Sequence, residues 1–170
     1  MSWTLILILI LVVAMLVGPI AMLRPTRRQR QLAELRQEAA RMGLRVELQS
    51  LGGRSLAAYE RRWPLTGGEK NPVKRGWALD RQTYEHDIHF HGLWHWRDEN
   101  RAPVELHEAL HQALAELPGT VQSVEATPVG LRCVWGESGG KAEIQAIADW
   151  LDRQIKRLWP LMPRAADRSS

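Results

Sequence analysis

The sequence predicts an α+β chain: an N-terminal transmembrane helix followed by a small two-layer domain, an antiparallel sheet with helices on one face. Three observations predict it. The stretch from Trp3 to Leu23 runs twenty-one residues without a charge, about 31 Å as a helix at 1.5 Å per residue, the thickness of bilayer hydrocarbon. Between Leu44 and Trp96, short runs alternate apolar and polar side chains between turn signals, the pattern of half-buried strands. From Pro103 onward, two segments of helical period flank a hairpin pattern, and such an order packs economically as helices on an antiparallel sheet.

The expected organisation is an anchor over 1–23, a basic amphipathic juxtamembrane helix over 24–43, a cytoplasmic α+β domain over 44–160 and a disordered tail over 161–170. No basic side chain precedes the apolar stretch, whereas Arg24, Arg27, Arg28 and Arg30 follow it. The positive-inside rule then places the N-terminus outside and the domain in the cytoplasm, as in a single-pass bacterial inner-membrane protein. Trp3 and the four arginines are the expected membrane-interface residues. A secretory signal peptide would instead carry its charge ahead of a shorter apolar run.

Charge is divided unevenly along the chain. Arg24 to Arg62 holds ten arginines against four glutamates, while Val104 to Trp159 holds five basic residues against eight acidic ones. The basic half is the one next to the expected anchor, so anionic lipid headgroups are the expected partner of its arginines, together with an unidentified membrane or cytoplasmic protein. Nucleic acid is not expected, because no recognition motif accompanies the basic cluster. The single Cys133 excludes an internal disulfide, in keeping with a reducing compartment.

Along the chain, Leu32, Leu35, Ala39 and Met42 recur at helical spacing before Gly43 stops the second helix. The step from the apolar stretch through Leu23-Arg24-Pro25 into Arg27, Arg28, Gln29, Arg30 and Gln31 resembles YajC, an accessory subunit of the bacterial preprotein translocase, over about the first 35 residues. That resemblance implies association with the translocase. The overall layout also resembles uncharacterised single-span proteobacterial proteins, for which no activity is implied.

Strands are expected at Leu44–Gln49, from Ser55 to Trp63 and from Trp77, with 66–75 as a surface loop. The most unusual stretch is Tyr84 to Trp96, YEHDIHFHGLWHW. Read as one strand, it puts Ile88, Phe90, Trp94 and Trp96 on one face and His89, His91 and His95 on the other. A helix is expected over Pro103–Leu117, a hairpin over Val121–Trp135 and a last helix over Gly140–Leu158.

Two constellations carry possible chemistry. His107-Glu108-Ala109-Leu110-His111 satisfies H-E-x-x-H, in which two imidazoles four apart share a zinc ion and the glutamate serves as general base. The resemblance to zinc metallopeptidases makes His107 and His111 ligands and Glu108 the catalytic base. No histidine follows to complete the set, leaving Glu125, Glu137, Glu143 and Asp149 as acidic options. The helical wheel puts His107 and His111 about 70° and 110° from the leucine face, on its flanks. His89 and His91, two apart on a strand, form a second metal-binding pair, with His95 near. The expectation for function is a non-enzymatic accessory or scaffold protein that binds another protein, without a cofactor. The alternative is a membrane-tethered zinc hydrolase or metal-binding domain.

Overall fold

The computed structural model describes residues 3–22, 26–51, 53–65, 76–83 and 90–162. The chain divides into two compact units, Met1–Glu34 and Leu35–Ser170, with the division falling inside the second helix.

The first unit contains helix α1, Trp3–Met22. From Trp3 to Met15 its side chains are described, and all of them are exposed. Save for Thr4 they are apolar, and over more than three turns, at about 3.6 residues per turn, they point to every side. Among the described residues no helix is long and apolar enough to cross a membrane. That finding overturns the expected transmembrane helix over Trp3–Leu23, and with it the single-pass topology and the inner-membrane location.

Helix α2, Arg27–Arg41, begins on a reciprocal cap in which the Thr26 amide donates to Gln29 Oε1 and the Gln29 amide donates to Thr26 Oγ1. It ends at Gly43, whose φ of +77° is open to glycine at little cost. Of the expected apolar stripe, Leu35 and Ala39 are buried.

The second unit is α+β. Six strands, β1 Arg45–Leu51, β2 Arg54–Arg62, β3 Trp77–Arg81, β4 Trp94–Trp96, β5 Val121–Ala126 and β6 Gly130–Trp135, form one sheet in the order β1-β2-β6-β5-β3-β4. Every neighbouring pair is antiparallel. Helices α3, His107–Ala115, and α4, Lys141–Leu158, complete the fold.

Alternation assigns the two faces of the sheet. Ala57, Tyr59, Leu79, Val124, Leu131, Cys133 and Trp135 join one buried cluster with Leu110, Ala113, Leu114, Ile144, Ile147 and Leu151 of the helices. The opposite parity forms a separate small cluster of Leu56, Ala58 and Val134. The helices therefore cover one face. At about 1.5–3 kcal/mol for each large apolar side chain buried, the helix-facing cluster is the main stabilising element of the domain.

Trp150 fixes α4 to α3, because its indole N–H donates to the Ala113 carbonyl at 2.9 Å. A second tie holds α2. Arg36 Nε donates to Glu137 Oε1 at 2.8 Å and the Tyr59 hydroxyl donates to the same oxygen at 2.7 Å. Glu137 sits at φ +52°, the only non-glycine residue with positive φ among those described, so the loop after β6 takes a costly backbone conformation where its carboxylate meets Arg36. Burial and the carboxylate together push the Tyr59 hydroxyl pKa far up, which keeps it a neutral donor.

The reading of 84–96 as one strand fails over the part that is described. The His91 amide donates to the Trp94 carbonyl at 3.2 Å and the Trp94 amide donates back to the His91 carbonyl at 2.9 Å. This tight reversal needs Gly92 at φ +52°. The chain turns between His91 and Trp94, so the face parity assigned across that stretch does not carry through. Residues 84–89, the expected surface loop 66–75 and the tail from 163 lie outside the described residues.

Candidate functional site

The turn at Gly92 brings Phe90 and His91 onto helix α3. His107 opens that helix, following a short 3-10 turn over Val104–Leu106, and His111 stands one turn later. The ring centroid of Phe90 lies 5.0 Å from that of His107 and 4.6 Å from that of His111. Trp96 packs on Phe90 at 4.7 Å and lies 5.9 Å from His107, and Trp77 meets Trp96 edge-on at 5.9 Å. The His91 ring stacks on His111 at 4.6 Å with planes 18° apart. Three of the predicted metal-ligating residues, His91, His107 and His111, are thus gathered around the one phenylalanine of the chain.

One of their nitrogens is committed away from a shared metal. Two ligating imidazoles have to direct a nitrogen at one point about 2.0–2.1 Å from each. His107 Nε2 instead lies 3.1 Å from the Ala102 carbonyl. A carbonyl only accepts, so that nitrogen carries the proton and donates it. The benzene ring of Phe90 packs against both imidazoles. Among the described residues, no three histidine, cysteine, aspartate or glutamate side chains are grouped to hold a metal ion.

Glu108, the candidate base, is exposed and accepts from Gln112 Nε2 at 2.9 Å on its own helix. Of the four acidic options, Glu125 lies on the sheet face away from the helices. Glu137 holds Arg36 and Tyr59, Glu143 accepts from Thr120, and Asp149 accepts from Gln145 at 2.9 Å. His95 stays on β4, its Nδ1 donating to the Asp80 carbonyl at 2.9 Å. His89 lies outside the described residues.

His111 has an environment of its own. Its Nε2 is buried without a hydrogen-bond partner. Burial first, and then the neighbouring His91, hold its pKa below the ordinary 6.5, against an upward pull from Glu108, with His107 adding the least. The ring is consequently neutral at neutral pH, and its packing against Phe90 is apolar in character. Cys133 is fully buried and its thiol pKa is pushed up, chiefly by burial and then by Glu125, so it is a core residue and a poor nucleophile.

On the other face of the sheet, sequence reasoning missed a charge ladder. Opposed positions place Glu60, Arg132, Glu125 and Ala78 in one row across β2, β6, β5 and β3. Glu125, with a side chain 4 % exposed, takes ion pairs from Arg97 at 2.7 Å and from Arg132. Arg97 also forks onto Asp80 at 2.7 and 2.9 Å and donates to Ser123 Oγ at 2.8 Å. The hydrogen bonds to Asp80 raise the Arg97 pKa further. These acids and bases neutralise one another, which suits a positioning network better than an acid–base pair. In sequence they are scattered over residues 60–132, and no spacing rule joins them.

The predicted membrane-interface residues are also placed. Trp3 is exposed on α1, and Arg27, Arg28 and Arg30 are exposed on the first turns of α2, while Arg24 lies outside the described residues. Compared with known proteins, the chain matches no family model, no curated protein and no solved structure.

Proposed function

We propose that this chain is a non-enzymatic accessory protein, in which helix α1 docks among apolar helices of a partner protein and the α+β unit is the load it carries. One observation carries the reading: from Trp3 to Met15 the apolar side chains of α1 are exposed on all sides, Trp3 and Met15 each to 79 %. Helices that are apolar all round persist when something encloses them, and contiguous exposed apolar surface of this kind marks an interaction site. The packing of His107 and His111 on Phe90, with Glu108 turned to Gln112, supports a binding role over hydrolysis. The resemblance of Leu23 to Gln31 to YajC makes a preprotein translocase the first partner to try.

The test compares the full chain with a Leu7→Arg/Leu11→Arg variant in native extracts separated by sedimentation. The wild-type chain is expected to travel in a complex well above its own 19.4 kDa, and the variant to leave that complex while its domain melts at an unchanged temperature. Purified wild-type chain that binds protein-free phosphatidylcholine vesicles, with no protein companion in the extract, would overturn the reading in favour of lipid.

A further inference from the structure

The two edges of the sheet differ. The β4 edge is three residues long, and its neighbour Arg97 is engaged by Asp80, Ser123 and Glu125. The β1 edge is seven residues long, pairs with β2 in unbroken register from Arg45↔Glu60 to Leu51↔Arg54, and contains no proline, lysine or bulge. Among the described residues, no strand lies on its far side. Edges of that kind template further pairing.

The register decides which groups are offered. With two residues between Leu51 and Arg54, those two form the hydrogen-bonded pair that closes the hairpin. Hydrogen bonding then alternates, so odd-numbered residues of β1 bond to β2. Val46, Leu48 and Ser50 turn their amides and carbonyls to the open edge. Leu48 stands on this edge with 56 % of its surface exposed, and Arg45 and Glu47 are exposed on the opposite face.

We propose that β1 pairs antiparallel with β1 of a second copy of this chain, about a twofold axis at Val46, to give one continuous sheet. The charge pattern selects that occupant and that register. With Val46 opposite its own copy, Arg45 faces Glu47 of the second copy and Glu47 faces Arg45 of the second copy, two ion pairs made by one isologous patch. Those positions are non-hydrogen-bonded pairs, where cross-strand side chains approach most closely. On the helix side, Leu48 comes opposite Leu44 of the second copy, a residue buried in the core of its own chain. The axis through Val46 also satisfies the alternation at its centre, because Val46 turns its amide and carbonyl outward, while the Leu44 amide stays with the Ala39 carbonyl of its own chain at 3.0 Å.

Edge pairing is independent of the docking of α1, and the experiment keeps the two apart. A Val46→Cys variant of the full chain is oxidised mildly. Paired residues about 5.5 Å apart at Cα lie within disulfide reach, and the buried Cys133 does not compete. The expected result is a disulfide-linked dimer from Val46→Cys and none from Glu105→Cys. Adding Arg45→Glu lowers the dimer yield about tenfold through like-charge opposition, and adding Glu47→Arg to that variant restores it. The dimer survives Leu7→Arg/Leu11→Arg, which separates edge pairing from association through α1. Absence of the dimer, or a yield indifferent to Arg45→Glu, overturns the proposal. Sedimentation of the Arg45→Glu chain and its swapped counterpart, with Val46 intact, distinguishes the same outcomes should the cysteine variant fold poorly.

Discussion

Helices α1 and α4 are nearly the same length, twenty and eighteen residues, and they are finished to different degrees. In α4 the residues Ile144, Ile147, Trp150, Leu151, Ile155 and Leu158 are buried against the sheet and α3, while Lys141, Gln145, Asp149 and Lys156 face outward. In α1 the described apolar side chains are exposed all round. The amphipathic helix buries its apolar stripe within its own unit, whereas the uniformly apolar one is the helix that the proposed function assigns to a partner.

Emptying the finished helix should have the largest effect. Trp150→Ala removes a fully buried indole and its hydrogen bond to Ala113, and is expected to cost about 3–5 kcal/mol in a urea melt of the full chain. A loss below about 1 kcal/mol would mean that α4 is not firmly packed, and its contrast with α1 would disappear.

Helix α2 stands between the extremes, with Leu35 and Ala39 buried and its first turns exposed. Arg36→Ala leaves Glu137 and Tyr59 without their cation and is expected to destabilise the domain by about 1–3 kcal/mol. Arg36→Lys should recover only part of this, since an ammonium does not reproduce the fork.

On the flank of α3 the degree of finish is readable through pH. The folded-state pKa of His111 lies below the ordinary 6.5, so the unfolded chain takes up the proton first as pH falls. The contribution of a neutral His111 is complete above about pH 6.5 and declines as pH drops from there toward the lowered folded value. Melting temperature followed from pH 7.5 to 5 should fall in the wild type, and the slope should be shallower in His111→Gln. An identical slope in both would show that the imidazole is not held neutral by its surroundings.

The smallest effect is expected at the unfinished helix. Leu9→Ser changes a side chain that is exposed, so the stability of the α+β unit should shift by less than about 0.5 kcal/mol in the same urea melt.

Periodicity made much of the second unit legible. Alternation at Leu44–Gln49 and Val121–Trp135 corresponds to β1, β5 and β6, and the leucine and isoleucine spacing over Lys141–Leu158 corresponds to α4. It failed where one residue overrides a pattern: Gly92 at positive φ reverses a chain that alternation alone reads as straight. The candidate site was half legible. Spacing placed His107 and His111 on one side of a helix, but the ring that packs against both, Phe90, arrives through a turn distant in sequence. The ties of Arg36 to Glu137 and of Arg97 to Glu125 join residues with no local signal at all. For α1, lack of charge over Trp3–Leu23 was sound as a reading of composition, yet the span inferred from it is not supported among the described residues.

Docking of α1 on a partner protein is tested most directly by replacing Leu9 of the full chain with a photocrosslinking phenylalanine analogue in living cells. The analogue at Gln145, on the outward side of α4, serves as the comparison. A docking helix gives a discrete protein adduct from position 9 and none from position 145. Irradiated chain that forms no protein adduct at position 9, or the same adducts at both positions, would show that α1 is not where this protein meets its partner.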